Sequence, residues 1–267
     1  MRDLVEAGSP DLLEQAVAEV GEDPFERVGD GTRFAQPALY CASIALWRRA
    51  GCPIPDFVAG HSLGEVAALV AAGSLRAEDG LRLAARRGSI MQDAAEAARD
   101  GGMLALLGDD GIARRIATEH ELTVANDNAP GQVVLSGPGA VLREATSVAK
   151  QGGLKAVRLP VRGAFHTPAM CSAVPQLEAT LAELEVRTPG VTAFSSITAE
   201  PFDDVRRRLV EALVRPVRWR ETMLALRRAG ADRFLESGPG RVLRGLVRRT
   251  LEDVDALTLE EAEAVHA

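Results

Sequence analysis

Nothing in this chain restricts its fold more than residues 57–65. The apolar run Phe57-Val58-Ala59 ends in Gly60-His61-Ser62-Leu63-Gly64, a G-x-S-x-G pattern. Glu65 then leads into Val66-Ala67-Ala68-Leu69-Val70-Ala71-Ala72, which reads as a helix. A strand, a glycine-bounded serine and a helix in immediate succession define a nucleophile elbow. Gly60 and Gly64 are expected to let strand and helix approach closely. Ser62 then stands at the tip, with the Leu63 N–H and the positive helix end facing any oxyanion formed there. The competing reading of the same residues is an ordinary glycine-rich strand-to-helix turn.

Composition narrows the class. The chain has 267 residues, 46% hydrophobic and 26% charged, enough for one α/β core and a smaller lobe. With a net charge of −7 and no basic stripe interleaved with aromatics, no nucleic-acid partner is expected. Cys41, Cys52 and Cys171 form no C-x-x-C pair, which argues against a disulfide framework or a zinc site. No metal is expected. Without a signal-peptide core or a membrane-length apolar run, the expected location is the cytoplasm, with no membrane partner.

Helical spacing marks residues 10–20, Gln36 to Ala50 and the long Ala/Arg-rich stretch Glu78 to Ala98. From residue 101 the pattern changes. Short strands are expected at Met103–Leu107, Leu122–Ala125, Gln132–Ser136 and Leu154–Leu159, with helices at Ile112–Thr118 and Val141–Lys150. Asn126 to Gly131 reads as a turn. This β-α-β-β-α-β order is the ferredoxin-like signature. The expected fold is therefore α/β: an α/β-hydrolase-like large subdomain with a parallel sheet (1–98 and 163–267) and an inserted ferredoxin-like small subdomain (99–162). Helix and strand alternate again to residue 249, and the acidic tail from Glu252 reads as poorly packed.

A serine hydroxyl needs an adjacent base. His61 neighbours Ser62 but projects differently across a sharp turn. His120 lies in a polar run and reads as solvated, and His266 sits next to the C-terminus. His166 lies in the breaker-rich Gly163-Ala164-Phe165-His166-Thr167-Pro168, a loop at the lobe junction where catalytic side chains concentrate. From the residues alone, a half-buried structural histidine is as good a reading. Arg87, beside Arg82 and Arg86, reads more simply as a solvated helix charge.

Six segments in order resemble the malonyl-CoA:acyl-carrier-protein transacylase family, which also supplies the acyltransferase domains of fatty acid and polyketide synthases. They are Gln36-Pro37-Ala38-Leu39, Gly60 to Glu65, Arg87-Gly88, Asn126-x-Asn128-x-Pro130-Gly131-Gln132-Val133-Val134, Gly163 to Met170, and Arg215-Pro216-Val217-Arg218-Trp219, with Glu236 to Gly240 behind them. The resemblance implies that Ser62 carries the acyl group, His166 is the base, Leu63 supplies an oxyanion donor and Arg87 grips the malonyl carboxylate. It places His61, Phe165 and Asn128 at the substrate. Phe165, rather than a smaller residue, accompanies malonyl preference. It puts Ala212 where a backbone carbonyl orients the histidine. It implies malonyl-CoA and an acyl carrier protein as partners, with coenzyme A thioester as substrate and no bound cofactor.

One departure stands out. Relatives open with a strand ending in a Gly-Gln-Gly-Ser-Gln loop, one N–H of which completes the oxyanion hole. This sequence begins beyond that point, so a central strand is expected to be missing and the functional product to start upstream of Met1. The alternatives are a serine esterase or thioesterase of α/β-hydrolase type, with His266 as the late histidine, and a degenerate non-catalytic subunit.

Overall fold

The computed structural model describes residues 1–266, with side chains through residue 264. The main layer opens with α1 (Arg2–Gly8), α2 (Pro10–Val20) and α3 (Thr32–Arg49), followed by β1 (Phe57–Ala59), α4 (Gly64–Ala71) and α5 (Ala77–Ala98). The small lobe follows as β2 (Gly101–Leu107), α6 (Asp110–Glu119), β3 (Thr123–Ala129), β4 (Gln132–Pro138), α7 (Gly139–Gln151) and β5 (Lys155–Arg158). The chain then returns through α8 (Val174–Ala182), β6 (Thr192–Ser195), β7 (Glu200–Pro201), α9 (Val205–Glu211) and α10 (Trp219–Arg228). It ends with β8 (Arg233–Glu236), α11 (Val242–Thr250), β9 (Asp255–Thr258) and α12 (Leu259–His266).

The small lobe's sheet has strand order β3-β4-β2-β5 and is antiparallel throughout. With α6 and α7 this is the ferredoxin-like arrangement that the alternation of elements implied. Leu104, Leu106, Ile116, Leu135 and Leu142 give it a core of its own. The Asp109 carboxylate accepts the Ile112 N–H at 2.8 Å and fixes where α6 starts.

The large subdomain is α/β, and its parallel strands fall into two groups. β1 pairs in parallel with β6, and β8 in parallel with β9. Among the described residues β1 and β8 do not pair with each other; both border an apolar slot of about 680 Å³. Tyr40, Leu69, Leu81, Leu83 and Leu177 anchor the main core between the helices. α3 and α5 approach closely at Gly88, where a Cβ would lie 2.6 Å from the Thr32 carbonyl oxygen.

Four expectations are corrected. Asn126 to Ala129 is strand, not turn: β3 continues to Ala129 with two register irregularities, held by β4 and by a bridge from Asn126 to Val217. Pairing partners on both sides override the turn composition. The acidic tail is packed: Asp255 to Thr258 pairs with β8, and Leu251, Ala256, Leu259 and Ala262 are buried. α3 begins at Thr32, a turn before Gln36, so Pro37 lies inside it. Only Gly60 is sterically required at the elbow, since its Cβ would fall 1.9 Å from the Gly64 carbonyl carbon, whereas nothing stands within 4 Å of a Cβ on Gly64.

Candidate active site

β1 delivers Ser62 and α4 carries the chain away. Ser62 has φ 53°, a left-handed backbone that a non-glycine residue adopts only at a cost of about 1–3 kcal/mol. That strain is what turns the hydroxyl outward. Gly60 lets the turn close, and Glu65, which is 1% exposed, anchors its far side. The Glu65 Oε1 accepts the Ser196 N–H at 2.6 Å and the Ser196 hydroxyl at 2.9 Å, tying α4 to the end of β6. Burial pushes the Glu65 carboxyl up to about 7, against the pull of these donors and of Arg87.

Two groups meet the Ser62 Oγ. His166 Nε2 lies 2.9 Å away, and an Arg87 Nη2 donates to Oγ at 3.1 Å. His166 sits 4% exposed at φ 60° in the loop between the lobes, and its Nδ1 is 2.8 Å from the Ala212 carbonyl oxygen. A carbonyl can only accept, so the proton is on Nδ1 and the Nε2 lone pair faces the hydroxyl. Burial, and then the Arg87 cation, hold the His166 imidazolium down to about 3. The ring is therefore neutral and able to accept a proton at neutral pH.

Arg87 is not a solvated charge. It is 4% exposed in the middle of α5, and its Nη1 donates to Gln36 Oε1 at 2.6 Å. Gln36 is fixed in turn by donating to Thr32 Oγ1 at 2.6 Å. Among the described residues no carboxylate forms an ion pair with Arg87. Burial draws its pKa down to about 10 while Glu65 opposes the shift, so it stays cationic. A buried guanidinium with one nitrogen on the Ser62 hydroxyl and no carboxylate partner among the described residues has the donor geometry that can hold an anion.

A second cluster lines the site from the small lobe. His61 Nε2 lies 2.8 Å from Asn128 Oδ1 and 3.4 Å from Asn126 Nδ2, and its ring packs against Trp219 at a tilt of 58° with centroids 5.5 Å apart. Burial lowers the His61 pKa, so this ring too is neutral. β3 is held in place where the lobes join: Val217 donates to the Ala125 carbonyl at 2.8 Å, and Asp127 donates to the Val217 carbonyl at 2.9 Å. Arg114 and Arg220 both reach Asp127 Oδ2, at 2.6 and 2.7 Å. The bulged strand thus aims Asn126 and Asn128 at the elbow.

Of the other expected residues, Leu63 is the cap residue of α4, and its N–H donates to no group among the described residues. Phe165 is 9% exposed and packs in the main core beside His166. His120 caps the end of α6, half-buried. The side chain of His266 lies outside the described residues. Sequence reasoning did not single out Gln36, Glu65, Asn126 or Trp219. Gln36 and Trp219 stand in segments that matched the family, and Glu65 could have been read from a carboxylate inside an apolar helix.

A strained elbow serine with a carbonyl-oriented histidine defines an enzyme class that works through an acyl-serine. The chain belongs to the acyl transferase domain family, whose pattern matches residues 12–265. It is 43% identical over 240 residues to the polyketide biosynthesis protein ThaF of Burkholderia thailandensis, covering 86% of this chain but only 20% of that much longer protein. It is 36% identical over 244 residues to the malonyl CoA-acyl carrier protein transacylase of Bacillus subtilis, covering 86% of this chain and 76% of the relative. The crystal structure of malonyl-CoA:acyl carrier protein transacylase from Xanthomonas oryzae pv. oryzae superposes with a TM-score of 0.88 at 35% identity, covering 100% of this chain and 90% of that one.

Proposed function

We propose that this chain moves a malonyl group from malonyl-CoA to the phosphopantetheine thiol of an acyl carrier protein through malonyl-Ser62. The observation that carries the reading is the placement of Ser62 Oγ between the His166 Nε2 acceptor and the buried Arg87 cation. His166 takes the hydroxyl proton as Oγ attacks the thioester carbonyl carbon. The carbonyl π electrons move to oxygen, and the Leu63 N–H, which donates to no other group among the described residues, is the backbone donor proposed for it. Collapse breaks the C–S bond, and the departing coenzyme A sulfur takes the proton from Nε2, so coenzyme A leaves as the thiol and His166 is neutral again. The carrier thiol then runs the same steps in reverse and restores Ser62. No bound cofactor is needed.

Arg87 supplies selectivity. A malonyl carboxylate can take both guanidinium nitrogens, whereas an acetyl group leaves a buried cation unpaired. Its arrival also neutralises the second cause that depresses His166, so substrate binding strengthens the base. Phe165, next to the base, limits room for an α-branch. Asn128 and His61 position the substrate beside the elbow. The Nδ1–carbonyl pairing of His166, in place of a carboxylate partner, fits acyl transfer better than the hydrolase triad.

The two lobes are proposed to divide at 99–162, with the site at their seam. The cytoplasm is the proposed location: Cys41, Cys52 and Cys171 are free thiols, and among the described residues no helix is long and apolar enough to cross a membrane. Initial rates over a grid of malonyl-CoA and carrier concentrations test the mechanism. Parallel double-reciprocal lines are expected for a covalent shuttle. Intersecting lines would mean that both substrates bind together and that Ser62 carries no acyl group.

A further inference from the structure

Two helices bring four side chains together behind the Ser62 hydroxyl. Thr32 and Gln36 stand four residues apart on α3, and Arg87 and Met91 four apart on α5, so each pair shares one helix face. The helices close on each other there because position 88 is glycine: a Cβ on it would lie 2.6 Å from the Thr32 carbonyl oxygen and 3.3 Å from the Gln36 Cβ. The Gln92 Oε1 accepts the Arg33 N–H at 3.1 Å and pins the start of α3 to α5. None of the four side chains borders the slot between β1 and β8.

Hydrogen-bond polarity runs one way through this group. Arg87 has only donors, so the Gln36 oxygen, not its NH2, must face it, and the two meet at 2.6 Å. The Gln36 NH2 then needs acceptors at a residue only 5% exposed. It has two, Thr32 Oγ1 at 2.6 Å and the Met91 sulfur at 3.4 Å. A thioether is a weak acceptor, so the Thr32 hydroxyl is what keeps the amide from turning over. The guanidinium is thus held by a neutral oxygen, which fixes one nitrogen and leaves the charge unanswered. Among the described residues no carboxylate pairs with Arg87, and the buried Glu65 is held by Ser195 and Ser196 instead.

We propose that Thr32 and Gln36 are positioning residues that set the choice of acyl donor. Thr32 locks the Gln36 amide, and the locked amide aims Arg87 without answering its charge. Only an acyl group that brings its own carboxylate completes the site. The inference rests on the malonyl-transfer reading and adds to it the residues that make Arg87 selective. A carboxylate at position 36 would have nearly the shape of the amide but would answer the charge internally, since a guanidinium neighbour keeps a carboxyl ionised. A malonyl group would then meet a second carboxylate across the guanidinium. An acetyl group, which leaves a lone cation in the parent, would find that cation already paired.

The test offers the full chain equimolar malonyl-CoA and acetyl-CoA and reads the acyl group on Ser62 by intact-protein mass spectrometry, with kcat and KM measured for each donor alone. The parent should carry malonyl. In Gln36→Glu the ratio of malonyl to acetyl should fall by about 100-fold, through slower malonyl and faster acetyl transfer. Thr32→Val removes the amide's hydroxyl acceptor and should raise the malonyl-CoA KM by about three- to tenfold, with kcat and acetyl transfer changing far less. Thr32→Ser, which keeps the hydroxyl, should restore the parent values. An unchanged donor ratio in Gln36→Glu, beside a normally malonylated parent, would overturn the proposal. So would equal losses for both donors in Thr32→Val, which would make the hydroxyl merely structural; that pair of variants decides if Gln36→Glu fails to fold. A parent that takes no malonyl group would overturn the function itself, and this inference with it.

Discussion

Truncating Arg87 to alanine is the perturbation with the most specific consequences. Two losses must be kept apart. The first is structural: Gln36 Oε1 loses its 2.6 Å partner in a buried site, which costs about 1–3 kcal/mol and lowers the melting temperature by several degrees. That loss is the same whichever acyl donor is offered. The second belongs to malonyl alone. Its carboxylate would enter a buried site with no cation, a cost of about 3–5 kcal/mol, or roughly 150- to 5,000-fold in rate. Acetyl transfer, which never had that pairing, should fall far less. The variant also removes the second cause depressing His166, so its pKa rises toward the ordinary imidazole value. Activity needs the neutral ring and fails as pH falls through that pKa, so the acidic limb of the rate profile should move to higher pH. Chromatographic separation of malonyl- and acetyl-carrier products, measured for both donors across pH, gives both readouts. Equal losses for the two donors with an unmoved acidic limb would refute the reasoning and leave Arg87 a purely structural group.

Three further outcomes follow from the same geometry. His166→Ala should slow acyl-enzyme formation by about 10²- to 10⁴-fold, read as the single-turnover rate, because Ser62 loses the proton acceptor 2.9 Å from its hydroxyl; an unchanged rate would remove His166 from the reaction. Gly60→Ala should strongly lower the melting temperature, because the new Cβ meets the Gly64 backbone, while Gly64→Ala should leave it nearly unchanged; comparable melting of the two variants would contradict the elbow packing. Glu65 has a folded-state pKa raised from 4.5 to about 7, so its contribution is favourable below pH 4.5 and is lost as pH rises through 7. Glu65→Gln should therefore gain stability over the parent between pH 4.5 and 7, by denaturant titration; a pH-independent difference would mean that the carboxyl is not perturbed.

The elbow was legible because one short segment carried strand, turn and helix signals together. The small lobe was legible because its alternation of elements is local. What escaped depended on distant partners. Asn126, Asp127 and Asn128 have turn composition, and only β4 and Val217 hold them as strand. The tail's acidic residues masked Ala256 and Leu259, which pack once β9 meets β8 across the chain. Arg87 lay among other arginines on a helix, and its burial follows from the close contact of α3 and α5 at Gly88. Gly64, by contrast, matched the motif without serving the close approach the motif suggests.

The central claim is a covalent one, and intact-protein mass spectrometry of the chain mixed with malonyl-CoA, followed by peptide mapping, tests it most directly. A single malonyl group on Ser62, absent from Ser62→Ala and discharged by added carrier thiol, is the expected result. A malonyl adduct that persists in Ser62→Ala, or that carrier thiol fails to remove, would contradict it.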